Sequence, residues 1–93
     1  EWDIDPKCIG CIGFSAGAEI CAYLATHDQD RQYTSIDAAD EASCRPDFAA
    51  LIYPGGLVGF RDSGVKQSIA SKFQKSTPPF FIAHAFDDAS LNS

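Results

Sequence analysis

The 93-residue sequence predicts an α/β fold built on a parallel sheet segment of three strands. Three short apolar runs, each of strand length, are separated by a helix-like segment and by polar or proline-marked connections. Continuous apolar runs, rather than alternating ones, are typical of parallel strands that are covered on both faces. Crossovers between such strands bring their carboxyl ends to one edge of the sheet, where active sites of this class lie.

The first predicted strand, residues 7–14, leads directly into a predicted helix over residues 16–27. Apolar or small residues recur along this helix at i, i+3, i+4 and i+7, which predicts one packed face. That face consists of Gly17, Ile20, Cys21 and Leu24. The acidic stretch that follows, residues 28–47, matches no calcium or magnesium ligand spacing, so we expect a solvated loop there.

Prolines mark the two later strands. The second predicted strand, residues 48–53, is followed by Pro54, and the third, residues 80–84, follows the prolines at 78–79. Between them, apolar residues four apart predict an amphipathic helix over 65–75. The order of elements is therefore strand, helix, strand, helix, strand, which is the pattern of crossovers in a parallel sheet.

Composition and charge restrict the class of protein. The sequence is 45% hydrophobic and 12% aromatic, as expected of a globular chain with a core. Its net charge of −6 argues against nucleic acid or an anionic membrane as a partner, because both are themselves negatively charged. No apolar stretch has the length of a membrane span.

The four cysteines are Cys8, Cys11, Cys21 and Cys44. The first two have C-x-x-C spacing, but residues three apart in a strand point to opposite faces, which disfavours a shared metal or redox site. We therefore expect buried, reduced thiols rather than a metal site or a disulfide.

The motif that carries most chemical information is the G-x-S-x-G pentapeptide, residues 13–17, which lies between the first strand and the helix. A nucleophile elbow needs this context, because the serine occupies a strained turn that exposes its hydroxyl at a strand end. Side chains at Gly13 and Gly17 are expected to collide with neighbouring elements. The amide of Ala16 would then face any oxyanion formed at Ser15. The alternative is that Ser15 is an ordinary helix N-cap.

An acidic pair follows the third strand at Asp87 and Asp88, which gives the order serine, then acid, found in α/β-hydrolase triads. The alternative is a simple polar strand exit. Two histidines are possible bases. His84 is expected to be structural, and His27 lies at the far end of the predicted helix, ~15 Å from Ser15.

Three longer stretches, residues 5–17, 45–55 and 78–88, together resemble the α/β-hydrolase superfamily. The resemblance is greatest to the small bacterial esterases grouped with acetyl-xylan esterases and dienelactone hydrolases. In that family a G-F-S-A-G nucleophile follows the fifth strand, and Tyr-Pro ends the sixth. The seventh strand ends in a P-P-x-F-L-x-H-x-x-D-D signature.

Carried over by position, the resemblance implies that Ser15 is the nucleophile, Ala16 an oxyanion amide donor and Asp88 the triad acid, with Asp87 as the alternative. It implies hydrolysis of a carboxylic ester, including acetyl groups on carbohydrates, through an acyl-enzyme and without a metal or organic cofactor. The fold it implies is a three-layer parallel-sheet segment.

The sequence also departs from the family pattern. Ala18 and Glu19 stand where these esterases usually have glycine and often histidine. The H-G-G oxyanion loop, the first four strands and the G-x-H-x-F histidine have no counterpart, so residues 1–93 are expected to form a partial domain whose partner is the remainder of that domain. The competing interpretations are a non-catalytic fragment or a binding module that kept only the scaffold.

Overall fold

The computed structural model of the chain describes residues 2–29, 33–55, 57, 69 and 73–88. The elements in chain order are strand β1 (Gly10–Phe14), helix α1 (Ala16–Thr26), a 3₁₀ turn (Ala38–Glu41), strand β2 (Phe48–Ile52) and strand β3 (Phe80–Ala83). The three strands form one parallel sheet in the order β1-β2-β3. This α/β arrangement confirms the coarse prediction from the sequence.

The register of the sheet brings the three strand ends into one row. Phe14 of β1 pairs with Ile52 of β2, which in turn pairs with Ala83 of β3. Because the strands are parallel, the residues that follow these three all lie at the same carboxyl edge. Helix α1 crosses from β1 to β2 and packs against both strands.

The sheet has two faces, since successive side chains along a strand point in opposite directions and register partners share a face. The face on which α1 packs, here the helix-covered face, carries Cys11, Gly13, Ala49, Leu51 and Phe80. Ile82 of β3 lies on the same face, but of the three described strands α1 packs only on β1 and β2, and Ile82 is 53% exposed. The other, here the open face, carries Gly10, Ile12, Phe14, Phe48 and Phe81. Four large side chains of the open face are at least half exposed, namely Ile12, Phe14, Phe48 and Phe81, whereas Ile52 at the end of β2 is half-buried.

Small residues of α1 form its packed face. Ala18, Ala22 and Ala25 are almost completely buried, whereas Ile20 is 70% exposed. The predicted packed face, which included Ile20, was therefore wrong: the buried positions are shifted by one residue along the helix from those predicted. The physical reason is the close approach of α1 to the sheet, which alanine permits and isoleucine would prevent.

The first strand is shorter than predicted. It begins at Gly10 rather than at residue 7, because the Asp5 carboxylate accepts a hydrogen bond from the Lys7 amide (2.9 Å) and closes a turn there. Pairing with the second strand starts just before Gly10. The Asp47 amide donates to the Ile9 carbonyl at 2.7 Å.

The other elements each end one residue earlier than predicted. Strand β2 ends at Ile52 because the next residue, Tyr53, has a φ of 38°, outside the extended region. Helix α1 ends at Thr26, where the amide of the following His27 donates to Tyr23. Strand β3 ends at Ala83.

The remaining predictions concern the loops and the outer layers. Residues 65–68 and 70–72 of the predicted second helix lie outside the described part of the chain. The described residues form two layers, helix and sheet, so the predicted third layer is not among them. Within loop 28–47, the Asp37 carboxylate accepts from the Ala39 amide (2.9 Å) and caps the 3₁₀ turn.

The described residues contain neither a helix suited to cross a membrane nor a metal-binding cluster. In the ranges 2–29, 33–55 and 73–88, no helix has the length and apolar character needed to cross a bilayer. The same part of the chain contains no group of three or more His, Cys, Asp or Glu residues arranged to hold a metal ion.

Candidate active site

Ser15 occupies a strained turn between β1 and α1. Its backbone angles are φ 52° and ψ −119°, and it is exposed at the carboxyl edge of the sheet. A positive φ is costly for a residue with a side chain and persists only where its surroundings impose it. Here the Ser15 amide donates to the Ile52 carbonyl (3.0 Å) and its carbonyl accepts from the Ala18 amide (2.9 Å). The sheet and the helix therefore hold this residue from both sides.

Gly13 allows the tight reversal that places Ser15. A Cβ atom at Gly13 would lie 2.1 Å from the carbonyl oxygen of Gly17 and 2.6 Å from the amide nitrogen of Ala18. Both are backbone atoms of the first turn of α1, so they could move only if the helix moved. Glycine is therefore required at position 13 by the close contact of strand and helix.

The collision expected at Gly17 is absent from the described part of the structure. A Cβ atom there would meet no heavy atom within 4 Å. The reason is that the carbonyl group of Gly17 faces β1, whereas a Cβ atom at Gly17 would point away from the strand. The two glycines of the motif thus differ, and only Gly13 is constrained by the described neighbours.

The geometry at Ser15 differs from that of an ordinary N-cap. An N-cap residue usually has extended backbone angles, and its side chain accepts a hydrogen bond from an amide of the first turn. Ser15 has a positive φ, and its side chain makes no capping bond to the described helix. The cap alternative therefore lacks both of its usual features here.

The amide of Ala16 is available at the start of α1. As the first helical residue, Ala16 has no acceptor within the helix, and none is found among the other described residues. It lies next to the exposed Ser15 and at the positive end of the helix dipole. An amide in this position can donate a hydrogen bond to a negatively charged oxygen that develops beside the serine.

A second strained residue lies directly beside Ser15. Tyr53 follows β2 with a φ of 38°, and these two are the non-glycine residues of the described chain with positive φ. Its amide donates to the Ala83 carbonyl (2.7 Å), and its ring contacts that of Phe14, with centroids 5.9 Å apart. Sequence reasoning did not identify Tyr53 as a site residue, and the one available signal was the Tyr-Pro pair that ends the strand.

The third strand ends in a histidine and aspartate pair. His84 Nε2 lies 3.8 Å from Asp88 Oδ2, and the Asp88 amide donates to the Ala85 carbonyl (3.3 Å). Asp87 is exposed and Asp88 is half-buried. The structure therefore brings Asp88 to His84 and places both at the same sheet edge as Ser15.

Neither histidine lies next to the serine. His84 follows Ala83 in the register row, so two strand spacings, about 10 Å, separate its backbone from that of Ser15. His27 lies at the opposite end of α1, where its ring stacks on Tyr23 with centroids 4.0 Å apart and Nδ1 is 2.7 Å from the Thr26 hydroxyl.

The cysteines are all free, but they are not all buried. Cys21 is buried and Cys11 half-buried, whereas Cys8 and Cys44 are exposed, so the prediction of buried thiols was wrong for these last two. Burial, together with a hydrogen bond to Cys21, raises the pKa of Cys11 to about 11. Cys11 is therefore a neutral thiol near pH 7 and a poor nucleophile.

Comparison with known proteins shows a similarity to part of a carbohydrate-active enzyme. The chain is 30% identical, over a 105-residue alignment, to endo-1,4-beta-xylanase B of Butyrivibrio fibrisolvens. The alignment covers 96% of this chain and 16% of that protein, so the chain is similar to a small part of a carbohydrate-active enzyme. No family model matches the chain, and no solved structure matches it.

Proposed function

We propose that this chain belongs to a serine carboxylic-ester hydrolase whose nucleophile is Ser15. The observation that carries the proposal is the backbone of Ser15, which has φ 52° on an exposed turn at the carboxyl edge of a parallel sheet. Strain at an exposed serine between a strand and a helix is what a nucleophile elbow requires. The similarity to part of a xylanase supports esters of carbohydrates as the substrate class.

The proposed reaction has two halves. In the first, the Ser15 oxygen attacks the ester carbonyl carbon, its proton passes to a general base, and the alcohol leaves after taking up that proton. In the second, water attacks the acyl-enzyme in the same way and releases the carboxylic acid and free Ser15. The Ala16 amide would stabilise the oxyanion in both halves, since the hydrogen bond strengthens as negative charge develops.

The role of the acid is assigned to Asp88, with Asp87 as the alternative. A triad acid orients the histidine base and stabilises its charged form. Asp88 already lies near a histidine nitrogen, that of His84, and is less exposed than Asp87. No metal or organic cofactor takes part in the proposed chemistry.

The placement of the histidines favours a second candidate, a scaffold without turnover. A base must come within about 3 Å of the serine oxygen, whereas His84 faces Asp88 and His27 lies at the far end of α1. We therefore expect the 93-residue chain alone to react with an activated phosphonate slowly and to hydrolyse esters very slowly, because loss of one triad member removes several orders of magnitude in rate.

Labelling by a fluorophosphonate tests the proposal directly. The folded chain should form a covalent adduct at Ser15, identified by peptide mapping, about tenfold faster than the urea-unfolded chain, because the Ala16 amide is in place only when α1 is folded. Ser15→Ala should lose the adduct. Ser43→Ala, which changes an exposed loop serine, should keep it.

The outcomes separate the two candidates. An adduct at Ser15 without ester turnover supports an elbow that lacks a base within this chain. Equal labelling of folded and unfolded chain, or labelling spread over several serines, would rule out an activated Ser15 and leave the scaffold interpretation.

A further inference from the structure

We propose that Tyr53 is a substrate-binding residue, whose ring packs against the sugar ring on the alcohol side of the ester. This inference rests on the proposed function for the choice of sugar. Its structural basis is independent of that function and consists of the position, backbone strain and exposure of Tyr53.

The position of Tyr53 follows from the sheet register. Phe14, Ile52 and Ala83 form the last paired row, so the next residues, Ser15, Tyr53 and His84, extend that row along the carboxyl edge. Hydrogen bonds from the amides of Ser15 and Tyr53 to the neighbouring strands continue the ladder into this row. Tyr53 is therefore the residue next to Ser15, about 5 Å away along the edge.

The backbone of Tyr53 redirects its side chain. In a continued strand, Tyr53 would point to the face opposite that of Ile52 and Phe14, because directions alternate. Instead, with a φ of 38°, its ring contacts the ring of Phe14 at a tilt of 57°. The strained backbone thus brings the aromatic ring to the side of the sheet edge where Phe14, the residue before the nucleophile, also lies.

The strain at Tyr53 is unusual for its sequence context. The residue before a proline prefers extended backbone, and a positive φ is disfavoured for any aromatic residue, yet Tyr53 precedes the buried Pro54. Strain of this kind clusters at functional sites, where the surrounding structure maintains it. Glycine would satisfy the turn without strain, so the ring itself is the feature that needs explanation.

The exposed ring matches the chemistry of a sugar. Tyr53 is 44% exposed, so part of this residue is accessible at the carboxyl edge that also carries Ser15. The C–H face of a pyranose is flat and apolar, and its hydrogens are attracted to the negative face of an aromatic ring. Binding sites combine such an apolar surface with a few polar groups, here supplied by Ser15 and the Ala16 amide.

The test uses tyrosine-labelled chain and NMR. The chain has three tyrosines, and Tyr23 and Tyr33 are 46% and 57% exposed, so they serve as internal controls for Tyr53. Titration with the monoacetate of methyl β-D-xylopyranoside should shift the Tyr53 ring signals saturably, and about threefold more than those of the other two tyrosines. Ethyl acetate, which has the ester but no sugar ring, should shift Tyr53 less.

Two variants separate binding from folding. Tyr53→Phe should keep the affinity, measured at the amide signals of Ser15 to Gly17, whereas Tyr53→Gly should weaken it about fivefold, as loss of one aromatic contact implies. The urea midpoint of Tyr53→Gly should change little, because relief of the positive φ offsets the loss of the ring contact with Phe14. Equal shifts of all three tyrosines, or unchanged affinity in Tyr53→Gly, would overturn the inference.

Failure of this inference and failure of the proposed function give different results. A selective Tyr53 shift without phosphonate labelling of Ser15 would retain the sugar contact and reject the hydrolase. Labelling of Ser15 without a selective shift would retain the hydrolase and reject Tyr53 as its sugar contact.

Discussion

On the helix-covered face of the sheet, small residues let α1 approach the strands closely, whereas on the open face large apolar side chains stand exposed. Leu51, on the first of these faces, is fully buried, and Ile12, on the second, is 62% exposed. Close backbone packing therefore determines which residues the helix-covered face can hold. Large apolar residues on the open face suit a sheet that is covered on both sides, as the three-layer prediction requires.

The two glycines of β1 give the strongest test of this difference. At Gly13, on the helix-covered face, a Cβ atom would clash with backbone atoms of α1; at Gly10, on the open face, its nearest neighbours would be atoms of the Phe48 ring. We expect Gly13→Ala to lower the free energy of unfolding by about 4 kcal/mol, because strand and helix must separate. Gly10→Ala should change it by no more than about 1 kcal/mol, because the half-exposed ring can turn away. Urea unfolding followed by circular dichroism measures both.

Loss of cooperative unfolding in Gly13→Ala would count in the same direction as a large destabilisation. Equal free energies of unfolding for the two variants, or a lower value for Gly10→Ala, would contradict the proposed difference between the two faces. Either result would mean that α1 packs less closely on β1 than the structure indicates, where a Cβ atom at Gly13 would lie 2.1 Å from the Gly17 carbonyl oxygen. A Ser15 that is still labelled in Gly13→Ala would further show that the elbow does not depend on this contact.

The sequence was informative about the elements and much less so about their faces. Apolar runs and prolines located all three strands and α1, because these features act locally along the chain. The packed side of α1 was misjudged because hydrophobicity ranks Ile20 above Ala18 and Ala22, whereas close approach selects for small size. The preference for small residues depends on the distance between helix and sheet, which the sequence of the helix alone does not specify.

The candidate site shows the same division. The position of Ser15 could be predicted, because a strand, a motif and a helix in sequence specify a turn. The strain at Tyr53 could not, because the following Pro54 favours extended backbone and the positive φ depends on neighbours distant in sequence. The pairing of His84 with Asp88 was also not evident, since i, i+4 spacing beyond a strand end does not specify a contact.

A pair of core truncations should show a smaller difference between the faces. Leu51→Ala removes a fully buried side chain from the helix-covered face and should cost about 3 kcal/mol in unfolding free energy. Ile12→Ala, on the open face, removes a side chain that is already largely in water, and we expect a cost of about 1 kcal/mol or less. Denaturant midpoints at constant m-value give both numbers. Similar costs would show that Ile12 is covered in solution, for instance by association of the open faces of two chains.

The smallest expected effect concerns the pH dependence of the helix-covered face. Burial and the contact with Cys21 raise the pKa of Cys11 from its ordinary 9.0 to about 11 in the folded chain, so unfolding releases its proton between these values. The stability that the neutral thiol contributes is complete below pH 9 and is lost as the pH rises toward 11. The difference in unfolding free energy between wild type and Cys11→Ala should therefore shrink from about pH 8 to about pH 10.5. Cys8→Ala, which removes an exposed thiol, is the matched control and should keep the wild-type alkaline decline. A constant difference for Cys11→Ala over this range would place Cys11 in water, and the helix-covered face would then be less tightly closed at β1 than at β2.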